Sequence, residues 1–278
     1  MPTLSQFLFG ATVLGALLAA LGIALSPAWQ SWRRRRLARQ PFPAAWRRVL
    51  ARHVPQVRRL PVDLQLRLKQ LMQVFIAQKP FIGCDGLVVT EAMRVVVAAQ
   101  ACLLLLNRPQ WHYANLRQVL LYPGAFLVDR VRTEAGGVLR DERQVLAGES
   151  WSQGQVVLSW DDVLAGAADP TDGRNVVVHE FAHQLDQADG QSNGAPPLPQ
   201  GMDARRWARV LQAEFDHLQR QLAAGEENLL GAYAATNSAE FFAVASEVFF
   251  EQGPRLAATR PALYAELAAF YGLEPTSW

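Results

Sequence analysis

The chain has 278 residues, half of them hydrophobic and 19% charged, with a formal net charge of +2. That is enough apolar material for one sizeable core, with a short tail. Two cysteines, Cys84 and Cys102, lie far apart and form no Cys-x-x-Cys pair, which fits a reducing compartment and two buried thiols better than a disulfide framework. The positive charge is local: residues 33–52 hold eight Arg and no acid. The remainder, 53–278, has 19 Lys and Arg against 25 Asp and Glu, a net charge of −6. An acidic body of this kind carries no nucleic-acid footprint.

In chain order, Phe7 to Leu25 is a run of 19 almost wholly apolar residues, long enough to cross a bilayer as a helix. Trp29 and Trp32 follow at interface depth, and then Arg33 to Arg36. Charge after the apolar run, rather than before it, argues against a cleaved signal peptide. The expectation is a single-pass anchor over 1–32, a basic juxtamembrane segment over 33–52 that touches anionic lipid, and a domain over 53–278. By the positive-inside rule that domain lies in the cytoplasm, at the inner (cytoplasmic) membrane.

Leu64, Leu68, Leu71 and Phe75 recur at helical spacing and predict a helix over 63–79, ended by Pro80. Thr90 is placed to cap a second helix, Glu91 to Leu106. From Gln118 to Gly154 the pattern is strands and turns, and Gln155 to Trp160 is a further short strand. Its alternation sends Val156, Leu158 and Trp160 to one face and Val157 and Ser159 to the other. It is the best candidate for a sheet edge that takes an extended substrate, with an interior strand the equal alternative because the sequence does not fix strand order. A loop rich in Gly and Pro fills 189–203. Helices are expected over 204–223, from Asn237 or Ser238 to about Glu251, and around Leu263 to Tyr271. Helices, a small sheet, then helices make an α+β domain.

Chemistry concentrates in Asn175-Val-Val-Val-His-Glu-Phe-Ala-His-Gln-Leu-Asp186, which contains His179-Glu180-x-x-His183. Residues four apart share a helix face, so both imidazoles can reach one metal ion while Glu180 reaches a water beside it. The helix is apolar around these groups, and buried imidazoles and carboxylates are costly without partners, which a metal supplies. A catalytic zinc site needs one more protein ligand and an open position. His53, His112 and His217 read as ordinary surface residues. Asp189 stands six residues after His183, but the chain has Asp186 where a glycine would turn it back. Glu240 and Glu247 lie seven apart on one face of an otherwise apolar helix; one as ligand and the other bonding a ligand His would satisfy both. Asp186, three residues past His183, faces roughly the same side and is placed to orient a ligand His.

The blocks AQKPFIGCDGL, AAQACLLLLN, LLYPGAF, GESWSQG, NVVVHEFAHQLD, YAATNSAEFFAVASEVFFEQ and FYGLEP, in this order over about residues 65–275, resemble the Mlc titration factor A family of zinc peptidases. That family is similar in its catalytic core to the protease domain of anthrax lethal factor, which implies a zincin-like fold. The resemblance implies zinc held by His179, His183 and Glu240, Glu180 as general base, and Tyr233, seven residues before Glu240, as a catalytic donor. It also implies aminopeptidase-like activity and a partner similar to the Mlc transcriptional repressor, with no direct nucleic-acid binding. The apolar run Phe7–Leu25 departs from the family pattern. A rival expectation is a regulatory protein that sequesters a transcription factor and keeps zinc mainly for structure. An intramembrane protease is excluded by the polar flanks of the motif.

Overall fold

The structure is a computed structural model that describes residues 20, 26–108, 112–133, 139–146, 148–151 and 154–278; over 126–133, 139–146 and 148–151 it describes the backbone only. The chain divides into two compact units, residues 1–41 and 42–278.

In the first unit residues 26–38 are helical, and the Arg33 and Arg36 guanidinium groups lie over the Trp29 and Trp32 rings at 5.8 and 5.5 Å. Among the described residues no helix is long and apolar enough to cross a membrane. The described helix carries Arg33 to Arg36, charges that hydrocarbon does not tolerate. Phe7–Leu25 lies, apart from Ala20, outside the described residues. The expected N-terminal transmembrane helix, and with it the single-pass placement at the inner membrane, is therefore corrected: the fold is a helix-rich α+β body with a small, mainly parallel sheet.

The second unit opens with α1 (Ala44–His53), set off by Pro43. Helix α2 (Val62–Gln78) follows Pro61 and buries Leu64, Leu68, Met72 and Phe75. Helix α3 (Glu91–Leu103) starts where the Thr90 hydroxyl accepts the Met93 N–H at 3.3 Å. It is buried along most of its length and stops three residues short of the expected Leu106; Leu104 to Leu106 continue as buried turn. Helix α4 (Trp160–Ala168) was not foreseen. Ser159 caps it by accepting the Asp162 N–H, and Asp161 and Asp162 sit in the first turn, where helix N-termini favour acids.

The sheet runs β1 (Phe81–Gly83), β2 (Gln118–Tyr122), β6 (Gln155–Ser159), β5 (Gly148–Trp151) across its width. Strands β1, β2 and β6 are parallel, with Phe81 opposite Val119 and Val119 opposite Val156. Strand β5 is antiparallel to β6, with Gly148 opposite Leu158. The candidate edge strand at 155–160 is therefore interior. Val156, Val157, Leu158 and Ser159 are all buried, so neither face is free, and Trp160 already belongs to α4. A separate hairpin pairs β3 (Phe126–Thr133) with β4 (Leu139–Leu146).

The motif helix α5 (Val176–Asp186) is buried from Val177 onward, and its Phe181 ring meets Tyr113 at 4.8 Å and Phe75 at 5.6 Å. Helix α6 (Ala204–Ala223) is amphipathic through buried Trp207, Leu211 and Leu218 and is capped by Asp203. Helix α7 (Ser238–Glu251) packs on α5 and is buried over nearly its whole length. Two short helices, α8 (Gly253–Thr259) and α9 (Pro261–Tyr271), close the domain. Both cysteines are free, Cys102 buried and Cys84 half-buried.

Candidate metal centre

Two helix caps set the site. Asn175 caps α5 by accepting the Val178 N–H at 3.0 Å, and Asn237 caps α7 by accepting the Glu240 N–H at the same distance. The first cap starts the helix that carries His179, Glu180 and His183; the second places Glu240 in the opening turn of α7. Where the helices pack, the His179 Nε2 and Glu240 Oε2 atoms come within 3.0 Å. His183 Nε2 lies 3.2 Å from His179 Nε2 and 3.4 Å from the same Glu240 oxygen. His179, His183 and Glu240 thus form a group able to hold a metal ion.

The spacing tests the fit. Donor atoms bound tetrahedrally about 2.0–2.1 Å from a zinc ion stand roughly 3.3 Å apart, which is the triangle found here. The chemistry agrees. His179 Nδ1 meets Glu247 Oε1 at 2.7 Å, so a neutral His179 donates there and turns a lone pair inward from Nε2. Two inward lone pairs and a carboxylate oxygen at these distances repel one another unless a positive centre, a proton or a metal ion, joins them. The titration behaviour carries that strain. Burial works against a charged His179, but its contacts with Glu240 and Glu247 carry it well above the ordinary imidazole value. Burial likewise works to raise Glu240, yet hydrogen bonds from both histidines hold it well below the usual carboxylate range.

Glu180 is 4% exposed, and its Oε2 has no hydrogen-bond partner among the described residues. Burial pushes its carboxyl up to about 7, against the lowering effect of His179 and His183. A group held near neutrality that feels the charges of His179, His183 and Glu240 is suited to take up and release protons. The Tyr233 ring lies 5.9 Å from that of His179 and is 57% exposed, on the rim of the site.

The other candidates go elsewhere. Asp189 is exposed and accepts the Gln191 N–H in a turn. His53, His112 and His217 are half-buried and belong to no metal-binding group among the described residues. Asp186 does not hydrogen-bond to His183. Its Oδ2 accepts the Gly194 N–H at 2.8 Å, which fastens the loop after α5. Gly194 has φ +74°, and a Cβ there would lie 2.2 Å from the Ser238 carbonyl oxygen at the start of α7. Two further residues, Asn175 and Glu251, join the site without having been singled out in the sequence. The four-residue step from Glu247 to Glu251 on one helix face was the available signal.

A buried helix bearing His-Glu-x-x-His, completed by a carboxylate from a second helix on a small α+β sheet domain, defines a metallopeptidase-type centre. The comparisons agree in more particular terms. Residues 29–272 match the family described as glucose-regulated metallo-peptidase M90, and the chain belongs to that family. A Synechocystis protein described as uncharacterized is 40% identical over 250 residues, covering 90% of this chain and 91% of the relative. Mlc titration factor A of Klebsiella pneumoniae strain 342 is 35% identical over 83% of this chain and 86% of its own length. The protein of the same name from Cronobacter sakazakii is 33% identical, with 84% and 87% covered. The resemblance read from the sequence blocks is thus borne out.

Proposed function

We propose that this chain is a zinc-dependent peptidase whose metal is held by His179, His183 and Glu240. The observation that carries the reading is the 3.0–3.4 Å triangle of two imidazole nitrogens and a carboxylate oxygen beside buried Glu180. When bound, zinc supplies Lewis acidity, polarising the scissile carbonyl and acidifying a water. The chain's own groups do the rest. Glu180 accepts the proton of the attacking water and returns it to the leaving amine. Tyr233 donates a hydrogen bond to the oxygen on which negative charge develops. Glu247 fixes the His179 tautomer through Nδ1. The terminal strand β5, which packs beside α5, offers its outer edge to an extended peptide.

The name carried by the Klebsiella and Cronobacter relatives extends the proposal to a regulatory partner similar to the Mlc repressor. The rival, a binding protein with structural zinc, would fill four positions with protein ligands. Among the described residues the candidate group has three. Glu180→Gln separates the two readings. The variant should bind zinc and melt as the wild type does, while peptide turnover falls by about 10²–10⁴-fold. Undiminished turnover in a fully metallated variant removes Glu180 as base, and a wild type that takes up no zinc removes the whole reading. Paired substrates with free and acetylated N-termini decide whether cleavage is aminopeptidase-like.

A further inference from the structure

We propose that Asn175 and Glu251 are positioning residues for the metal centre, acting on His179 through Glu247; the inference rests on the metallopeptidase reading above.

A carboxylate that bonds a ligand histidine through one oxygen is free to swing about its own axis. Glu247 is not free. Its Oε1 meets His179 Nδ1, and its Oε2 accepts the backbone N–H of Asn175 at 2.5 Å. Asn175 immediately precedes α5, so the helix that carries His179 also clamps the group that orients it.

Asn175 is clamped in turn. Its Oδ1 caps α5, and its Nδ2 donates to the Gly166 carbonyl at 3.3 Å and to Glu251 Oε1 at 3.0 Å. Glu251 Oε2 then accepts the Gly173 N–H at 3.1 Å. Glu247 and Glu251, one turn apart on α7, therefore grip the 173–175 turn from the same side. All three side chains are buried, Asn175 being 1% exposed and each glutamate 7%. Buried polar groups in such number need a full set of partners, and here the partners form one unbroken chain that ends on His179. The two ends of Asn175 do separate jobs: Oδ1 caps the helix, and Nδ2 ties the cap to Glu251.

That division supplies the test. Asn175→Ser keeps a capping oxygen and loses the amide donor. Asn175→Asp keeps the cap but has no amide N–H to give Glu251. The N175D/E251Q double variant restores an amide–carboxylate bond with donor and acceptor exchanged. Full-length proteins are compared by zinc competition against a chromogenic chelator, and, free of metal, by the imidazole ¹⁵N spectrum of His179. Both single variants are expected to lose about 10–100-fold in zinc affinity, as outer partners of metal ligands do. They should also shift the Nδ1–H signal of His179, and the double variant should regain most of both.

A merely structural cap predicts lower melting temperatures with unchanged zinc affinity and an unshifted His179 signal in the folded variants; that result overturns the proposal, as does a double variant no better than the singles. If the wild type binds no zinc, the metallopeptidase reading fails, and the imidazole spectrum still decides whether Asn175 and Glu251 hold His179.

Discussion

At the scale of single residues, the centre shows how one spacing carries chemistry and another carries only structure. Glu240 and Asp189 were both arithmetically available as a third ligand. Glu240 stands 3.0 Å from His179 Nε2, whereas Asp189 turns outward to bond its own loop. Glu240→Ala should therefore remove most bound zinc, and Asp189→Ala should leave the metal content of the purified protein near one per chain. The reverse pattern would transfer the ligand role. Glu251 gives a second handle, through pH. Burial raises its carboxyl to about 8, with Asp172 and Glu247 adding to the shift and Asn175 opposing it. The folded value lies above the unfolded one, so the native state binds the extra proton. Stability from this group is complete below the unfolded value near 4.5 and is lost as pH rises through about 8. Glu251→Gln is always uncharged. With chelator present throughout, its unfolding free energy should gain on the wild type by on the order of 2 kcal/mol between pH 5 and pH 8. Denaturant titrations at several pH values read the slope, and parallel curves would show that Glu251 does not titrate in this window. The motif residues were legible because helical geometry alone decides which side chains share a face. The second partner of Glu247 and that of Asp186 were not, because they are backbone N–H groups that no sequence pattern marks.

Among the elements, the helices with strong apolar periodicity and polar caps were readable to within a residue or two at most ends. Helix α6 matches its expected range, and α7 starts at its asparagine cap. Helix α4 was missed because Gln155 to Trp160 reads as one strand. The chain changes from strand to helix at Ser159, whose hydroxyl serves the cap. Strand order was beyond the sequence altogether: a short apolar strand looks the same at an edge as in the middle of a sheet. The structure puts β6 between β2 and β5 and leaves β5 terminal. The consequence can be measured. A proline in β5 at a position whose N–H faces away from β6 removes a donor that an added peptide strand would use. KM should rise about tenfold or more while zinc content and melting temperature stay close to those of the wild type. Proline within 155–158 should instead unfold the protein, since every residue there is paired on both sides. A β5 variant with unaltered KM would place the substrate cleft elsewhere.

For the whole molecule, the boundary of the folded unit differs from what charge suggests. The run of eight arginines without an acid makes residues 33–52 look like one basic strip. The compact unit begins inside it, at Phe42. Arg47, Arg48 and Arg52 lie on α1, which buries Leu50; Phe42, just before the helix, is also buried, and its ring meets that of Trp46 edge to face at 5.5 Å. The Trp46 indole N–H donates to Glu91 at 2.7 Å, at the first residue of α3, so α1 is fastened to the helix at the centre of the core. A chain cut at residue 53 would lose these side chains and leave the surface they cover in water. At about 1.5–3 kcal/mol for each large buried side chain, Phe42 and Leu50 alone contribute roughly 3–6 kcal/mol. In a domain of this size each kcal/mol moves the melting temperature by about 2–4 °C. A protein starting at Phe42 should then melt within a few degrees of the full chain and bind zinc as tightly, whereas one starting at residue 53 should melt about 10 °C lower or fail to fold. Calorimetry of the two truncations decides the matter, and equal melting of both would mean that α1 is an appendage and not part of the core.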